Sequence, residues 1–341
     1  MLDKNAKIYV AGHRGLVGSA IWKNLQDKGY TNLIGKTHKE LDLLDAVSVR
    51  KFFDEEQPEY VFLAAAFVLQ IQQNVIGESF RHNVKKLLFL GSTCIYPRDA
   101  EQPMKEEVLL TSPLEYTNEP YAIAKIAGLK MCESFNLQYG TNYIAVMPTN
   151  LYGPNDNFDL ERSHVLPAMI RKIHLAHCLK QGDWDAICKD LNQRPVEGID
   201  GNSSKEDILA ILAKYGISNS EVKLWGTGTP LREFLWSEEM ADASIFVMEH
   251  VDFKDTYKQG DKDIRNCHIN IGTGKEISIR ELAELIVSTV GYQGQLTFDS
   301  TKPDGTMCKL TDPSKLHALG WHHKVEIEEG VQRMYNWYLG R

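Results

Sequence analysis

Residues 7–29 restrict the possible folds of this chain more than any other stretch. A short apolar run at 7–11 (KIYVA) leads into Gly12-His13-Arg14-Gly15-Leu16-Val17-Gly18, and residues 19–28 then carry a helical pattern that stops at Gly29. A buried strand, a G-x-x-G-x-x-G turn and a helix form the opening half of a βαβ unit. In such a unit the glycines let a pyrophosphate approach backbone N–H groups at the positive end of the helix. Three glycines alone are weak evidence, since a plain tight turn also accounts for them. The residues beyond Gly29 decide between the two.

A second strand at 32–35 ends in Lys36-Thr37-His38, where an NAD-binding chain usually carries an acid for the ribose hydroxyls. Bases there, together with Arg14 inside the glycine turn, favour the 2′-phosphate of NADP; His38 reads equally well as a solvated surface charge. The run at 60–66 (YVFLAAA), a helical pattern at 74–83 and the apolar run at 87–90 continue the alternation. Strands and helices repeating in this way predict an α/β fold, a Rossmann-type doubly wound parallel sheet with right-handed crossovers. Asn118 and Pro120 open a helix over 121–139 that Gly140 closes, and the strand 143–147 leaves the sheet at Pro148-Thr149-Asn150-Leu151-Tyr152-Gly153-Pro154. Beyond it, helices are expected over 165–179, 278–290 and 331–339 and a strand over 267–271. We therefore expect a dinucleotide-binding domain over 1–153, rejoined by about 234–272. The smaller, mostly C-terminal substrate domain is expected over 154–233 and 273–341. The charged stretch 178–222 reads as an insertion, with Ser203-x-x-Glu206 as a capping box before ILAILAKYG.

The net charge of −8 argues against a nucleic-acid or anionic-membrane binder. No run approaches the roughly 20 apolar residues of a membrane span, and the N-terminus has no signal pattern, so a cytoplasmic location is expected. Six cysteines without a C-x-x-C pair disfavour both a disulfide framework and a metal site.

Chemistry concentrates between residues 87 and 125. The strand 87–90 delivers Ser92 and Cys94 on one side of an extended chain, and Tyr121 and Lys125 stand four apart on one helical face. Hydride delivered to a carbonyl carbon leaves charge on the oxygen, so an acid must give up a proton as that charge develops. Tyr121 fits this acid, Ser92 would hold the same oxygen, and a lysine ammonium nearby would lower the phenol pKa. Taken alone, Cys94 reads as a small buried hydrophobe and His164 as a helix-start or packed histidine.

With these residues in hand the chain resembles the extended short-chain dehydrogenase/reductases. GHRGLVGSA, LGSTCIYP, NEPYAIAK, PTNLYGP, SHVLPA, WGTGTPLREFL and KPDGT together resemble, more narrowly, the GDP-L-fucose synthase branch, which epimerises and reduces GDP-4-keto-6-deoxy-D-mannose. The resemblance implies reductase roles for Ser92, Tyr121 and Lys125 and an epimerase acid/base pair in Cys94 and His164. It implies NADP(H) contacts at Gly12, Arg14, Gly15, Leu16, Val17, Gly18, Lys36, His38, Lys125, Pro148, Asn150, Leu151 and His164. GDP-sugar contacts are implied at Lys172, Trp225, Arg232 and Asp304, although a tryptophan beside a glycine loop is as often a domain plug. A homodimer is implied, through helices near 70–81 and 121–139. Two departures stand out. The resemblance implies a further stretch between Val68 and Leu69, bordering the nicotinamide end of the cofactor, and a basic residue where Cys308 stands. The rival readings are a reductase of another nucleotide keto-sugar, such as a GDP-deoxyheptose, with partial or no epimerisation, and a catalytically silent nucleotide-binding protein.

Overall fold

The computed structural model describes residues 2–65, 68–258, 260 and 262–340. In chain order its first elements are β1 (Ile8–Ala11), α1 (Leu16–Asp27), β2 (Leu33–Ile34), α2 (Ala46–Glu56), β3 (Tyr60–Leu63), α3 (Leu69–Arg81), β4 (Lys86–Leu90), α4 (Glu119–Tyr139), β5 (Tyr143–Pro148) and β6 (Asn150–Tyr152). There follow α5 (Val165–Gln181), α6 (Trp184–Gln193), α7 (Lys205–Lys214), β7 (Glu221–Trp225), β8 (Leu231–Arg232), β9 (Phe234–Trp236), α8 (Ser237–His250) and β10 (Ile269–Ile271). The last are β11 (Ile277–Ser278), α9 (Ile279–Val290), β12 (Gln295–Asp299), α10 (Ser314–Ala318) and α11 (Ile327–Leu339).

Two compact units result: Met1–Gly153 with Glu233–Lys275 and Lys309–Val325, and Pro154–Arg232 with Glu276–Cys308 and Glu326–Arg341. The first holds a parallel sheet in the order β10-β5-β4-β3-β1-β2. Its strands are apolar at nearly every position, Lys86 and Asn270 being exceptions, because both faces are covered. Ile8, Val10, Leu88, Leu90, Ile144 and Val146 point to one side, into the core under α1 and α8. Their neighbours Tyr9, Ala11, Leu87, Phe89, Tyr143 and Ala145 point to the other, under α2, α3 and α4. Alternation of period two within continuous apolar runs thus fills two cores from one sheet.

Several boundaries differ from expectation for identifiable reasons. The first helix begins at Leu16, inside the glycine turn, so Gly18 is a helical residue. The strand expected over 60–66 ends at Leu63; Ala66 lies outside the described residues. In the insertion the cap is Ser204, whose Oγ accepts from the Asp207 N–H (3.1 Å), while Ser203 Oγ accepts from the Asp200 N–H (3.1 Å). Both serines could open the helix, and each found a different N–H. Of the expected substrate segment 273–341, residues Lys309–Val325 belong to the sheet unit. Leu316 and Trp321 are buried in its core, and the Trp321 indole donates to Asp242 (2.9 Å).

The second unit ties the insertion down with charge. Asp190 of α6 accepts from Arg171 Nε (2.8 Å), Arg194 Nη1 (3.2 Å) and the Tyr338 hydroxyl (2.6 Å). Arg171 and Asp190 are both buried, and a pair of this kind holds because further hydrogen bonds satisfy it. No helix among the described residues is long and apolar enough to cross a membrane.

Candidate active site

The catalytic candidates of the sheet unit sit where β4 ends. Ser92 has extended backbone and caps a short turn of helix over Thr93–Ile95, its Oγ accepting from the Cys94 N–H (3.3 Å). Helix α4 brings Tyr121 to the same place, hydrogen-bonded to Ser92 through its side chain. Lys125, one turn on, is 5% exposed; its Nζ donates to the Leu90 carbonyl (2.7 Å) and lies 5.6 Å from the Tyr121 ring centroid. The structure therefore brings Ser92, Cys94, Tyr121 and Lys125 together. Helix α4 can approach so closely because Gly128 faces Gln72 and Phe89, where a Cβ would meet Gln72 Oε1 at 2.1 Å.

The electrostatics depart from expectation at one point. Burial and the neighbouring Cys94 push Tyr121 up to about 12, the Ser92 hydrogen bond alone opposing them. The same burial lowers Lys125 to about 8, offset in part by Cys94. So the phenol is held protonated, as a proton donor must be, while the lysine is the group that titrates near neutrality. Burial also raises the Cys94 thiol, and the Ser92 hydrogen bond and the charges of Lys309 and Lys125 resist this. Lys309 escaped the sequence reading because it lies far along the chain from Cys94.

The cofactor candidates line the start of α1. Gly12 has φ +84°, and at Gly18 a Cβ would stand 2.1 Å from the Gly12 carbonyl oxygen. No side chain caps the helix and its first turn carries no acid, which leaves the N–H groups around Leu16 and Val17 for an anion. The residues present fit a dinucleotide pyrophosphate. Arg14 is exposed beside this turn. Lys36 is instead ion-paired to Glu56 (3.4 Å), and the highly exposed His38 lies 3.6 Å from Asp42. Of the three bases, Arg14 alone has neither a hydrogen bond nor an ion pair among the described residues. Pro148 ends β5, and Asn150 and Leu151 belong to β6, paired with β9.

His164, Lys172, Trp225, Arg232 and Asp304 belong to the second unit. His164 is exposed at the N-terminus of α5 without capping it through its side chain. Asp156, which the sequence reading passed over, feels the His164 charge; burial raises its carboxyl to about 6, and its Oδ2 has no hydrogen-bond partner. Lys172 is 6% exposed, lowered to about 8 by burial, and lies 5.9 Å from the Trp225 ring centroid. Lys302 lies 5.6 Å from the same ring, so Trp225 stands among cations at the end of β7. Arg232 is partly buried, its Nη1 donating to the Leu231 carbonyl (2.7 Å). Asp304 closes the Gly226–Gly228 loop, accepting from the Thr227 N–H (2.7 Å) and hydroxyl (2.8 Å). Cys308 donates its thiol proton to Glu276 (3.1 Å), a contact for which a basic residue would substitute an ion pair.

The model of the NAD dependent epimerase/dehydratase family matches residues 8–194 and 196–272. GDP-L-fucose synthase 1 of Arabidopsis thaliana is 48% identical over 356 residues, covering 99% of this chain and 95% of the relative. That aligned span exceeds the 341 residues of the chain, so the relative carries residues that this chain lacks. A stretch missing after Val68 would produce such an excess. GDP-L-fucose synthase of Escherichia coli (strain K12) is 43% identical, covering 98% of this chain and 96% of the relative. Among solved structures, a GDP-mannoheptose C4 reductase from Campylobacter jejuni with NADP bound matches with a TM-score of 0.88 at 44% identity, covering 99% of this chain and all of that one.

Proposed function

Because the chain belongs to the NAD dependent epimerase/dehydratase family, we propose that it converts GDP-4-keto-6-deoxy-D-mannose to GDP-L-fucose by 3,5-epimerisation and NADPH-dependent reduction at C4. The observation that carries this is the grouping of Cys94 with Ser92, Tyr121 and Lys125 at one strand end, beside full-length identity to GDP-L-fucose synthases. NADPH would be held at the glycine turn, with Arg14 available to its 2′-phosphate, and would supply the hydride.

The C4 ketone acidifies the hydrogens at C3 and C5. Cys94 and His164 remove and return those protons, and the enolate charge that forms sits on the C4 oxygen. Ser92 and Tyr121 donate hydrogen bonds to that oxygen, and Tyr121 passes it a proton as reduction completes. One oxyanion position thus serves both reactions. Lys125 supports Tyr121 with positive charge, and Lys172, Trp225 and Arg232 supply cations and a ring for the GDP moiety. Asp304 holds the Trp225 loop. The protein works in the cytoplasm as a homodimer. Pairing through α4 would cover Ile123 and Leu137, which are exposed and fourteen residues apart, hence on one helical face.

A second reading is favoured by the C. jejuni relative, named for a C4 reductase of a GDP-mannoheptose. Reaction in D₂O separates the two: epimerisation leaves deuterium at C3 and C5 of the product, whereas direct C4 reduction leaves none. A GDP-fucose product without deuterium at either carbon would refute the epimerase role.

Two further results are expected. Gly18→Ala should weaken NADPH binding roughly tenfold or more, since the added methyl forces α1 from the turn at a cost of about 1–3 kcal/mol; titration of NADPH fluorescence reads it. The rate should fall as pH rises through about 8, because the active form of Lys125 is the ammonium and burial lowers its pKa to that value. A pH profile of kcat that stays flat between 7 and 9.5 would contradict this role, and Lys125→Arg, which stays charged, should remove the fall.

A further inference from the structure

Glu233 is a carboxylate with no solvent exposure. Its Oε1 accepts from the backbone N–H groups of Thr273 (2.6 Å) and Gly274 (2.8 Å) and from the Thr273 hydroxyl (3.3 Å). Its Oε2 accepts from the Thr311 N–H (2.9 Å). The Glu233 backbone carbonyl in turn accepts from the Asn150 side-chain amide (2.8 Å) and the Thr149 hydroxyl (3.5 Å). Gly272 makes the room, since a Cβ there would stand 2.3 Å from Oε1. A buried charge is tolerated only when its oxygens are fully occupied by donors, and here the donors are mostly backbone.

The places of these partners in the chain matter. Glu233 opens the second segment of the sheet unit; Thr273 and Gly274 lie just before that segment ends at Lys275; Thr311 lies just after the third opens at Lys309. Thr149 and Asn150 shortly precede the end of the first segment at Gly153. One residue therefore fastens four passages of the chain at their sheet-unit ends. Past three of them the second unit continues as a ladder: Arg232 pairs with Ile277, Leu231 with Ser278, and the Leu231 N–H donates to the Met307 carbonyl (2.8 Å). Arg232 is joined to Glu233 by a single peptide bond.

We propose that Glu233 is the positioning residue for Arg232, its carboxylate fixing the strand ends that set where the guanidinium meets the diphosphate of the GDP-sugar. This rests on the reading of Arg232 as a diphosphate contact. In Glu233→Gln one acceptor becomes an amide N–H₂ turned toward a backbone N–H, so one tie is lost without loss of volume.

Calorimetric binding of GDP and fluorescence titration of NADPH on the full chain test it. Glu233→Gln should raise the Kd for GDP roughly tenfold or more, the scale of a misplaced binding group, with the Kd for NADPH held within about twofold. The loss should vanish in the Arg232→Ala background, because a residue acting through Arg232 has nothing left to position. Gly272→Ala, which keeps the carboxylate but crowds it, should reproduce the GDP loss and carries the comparison if Glu233→Gln fails to fold. Unchanged GDP affinity, equal weakening of GDP and NADPH, or a loss that persists beside Arg232→Ala overturns the proposal. Turnover is not read, so a failure to convert the keto-sugar would refute the proposed function and leave this comparison intact.

Discussion

Tyr121→Phe should lower NADPH oxidation with the keto-sugar by about 10²–10⁴-fold, the range for removing a positioned general acid. The ring and its packing near Lys125 survive, so NADPH affinity should hold; the missing hydroxyl leaves Ser92 alone at the C4 oxygen. Because the enolate charge sits on the same oxygen, deuterium uptake at C3 and C5 should slow as well, though less, since the proton transfers at carbon remain available. A variant that keeps wild-type reduction would remove Tyr121 from the mechanism. One that loses reduction with deuterium uptake wholly unaffected would show that the two reactions do not share the oxyanion position.

Cys94→Ser should slow deuterium uptake from D₂O by roughly 10²-fold or more, since a thiol can ionise to the thiolate that takes a proton whereas a serine hydroxyl does not ionise at any pH the protein tolerates. Ser92, Tyr121 and Lys125 stay in place, so hydride transfer to the unepimerised ketone continues and the sugar formed keeps its original configuration at one or both carbons. Epimerisation at the wild-type rate would return Cys94 to its bland reading as a small buried residue. Burial raises the thiol while Lys309 and Lys125 counter it, so removing the Lys309 charge should move the onset of epimerisation to higher pH.

The grouping at the strand end was legible because its parts are local. The apolar run over 87–90 carries the chain to Ser92 and Cys94, although Cys94 lies in a short helical turn that Ser92 caps and not on the extended chain that the spacing predicts, and a helix must place Lys125 one turn from Tyr121. The glycine turn was legible for the same reason, since Gly12 and Gly18 meet within one strand–turn–helix unit. The placement of Lys36 was not. Its residue type suggested a phosphate contact, yet its ammonium pairs with Glu56, a carboxylate on the next helix that spacing along the chain cannot bring near. Tyr121 shows the same limit: a neighbouring lysine suggested a lowered pKa, yet burial and Cys94 raise it and only the Ser92 hydrogen bond opposes them.

By itself, then, the amino-acid sequence determined the doubly wound sheet, the glycine turn and the places of Ser92, Tyr121 and Lys125 on their elements, because each depends on contacts within a few residues or on the period of an apolar run. Tertiary structure alone decided that Lys309–Val325 returns to the sheet unit, that Asp304 closes the Trp225 loop, and that Glu233 fastens four passages of the chain. Those outcomes depend on burial and on which buried donor meets which acceptor across long chain separations. Such pairings are fixed only when the core closes and water is no longer available to satisfy them.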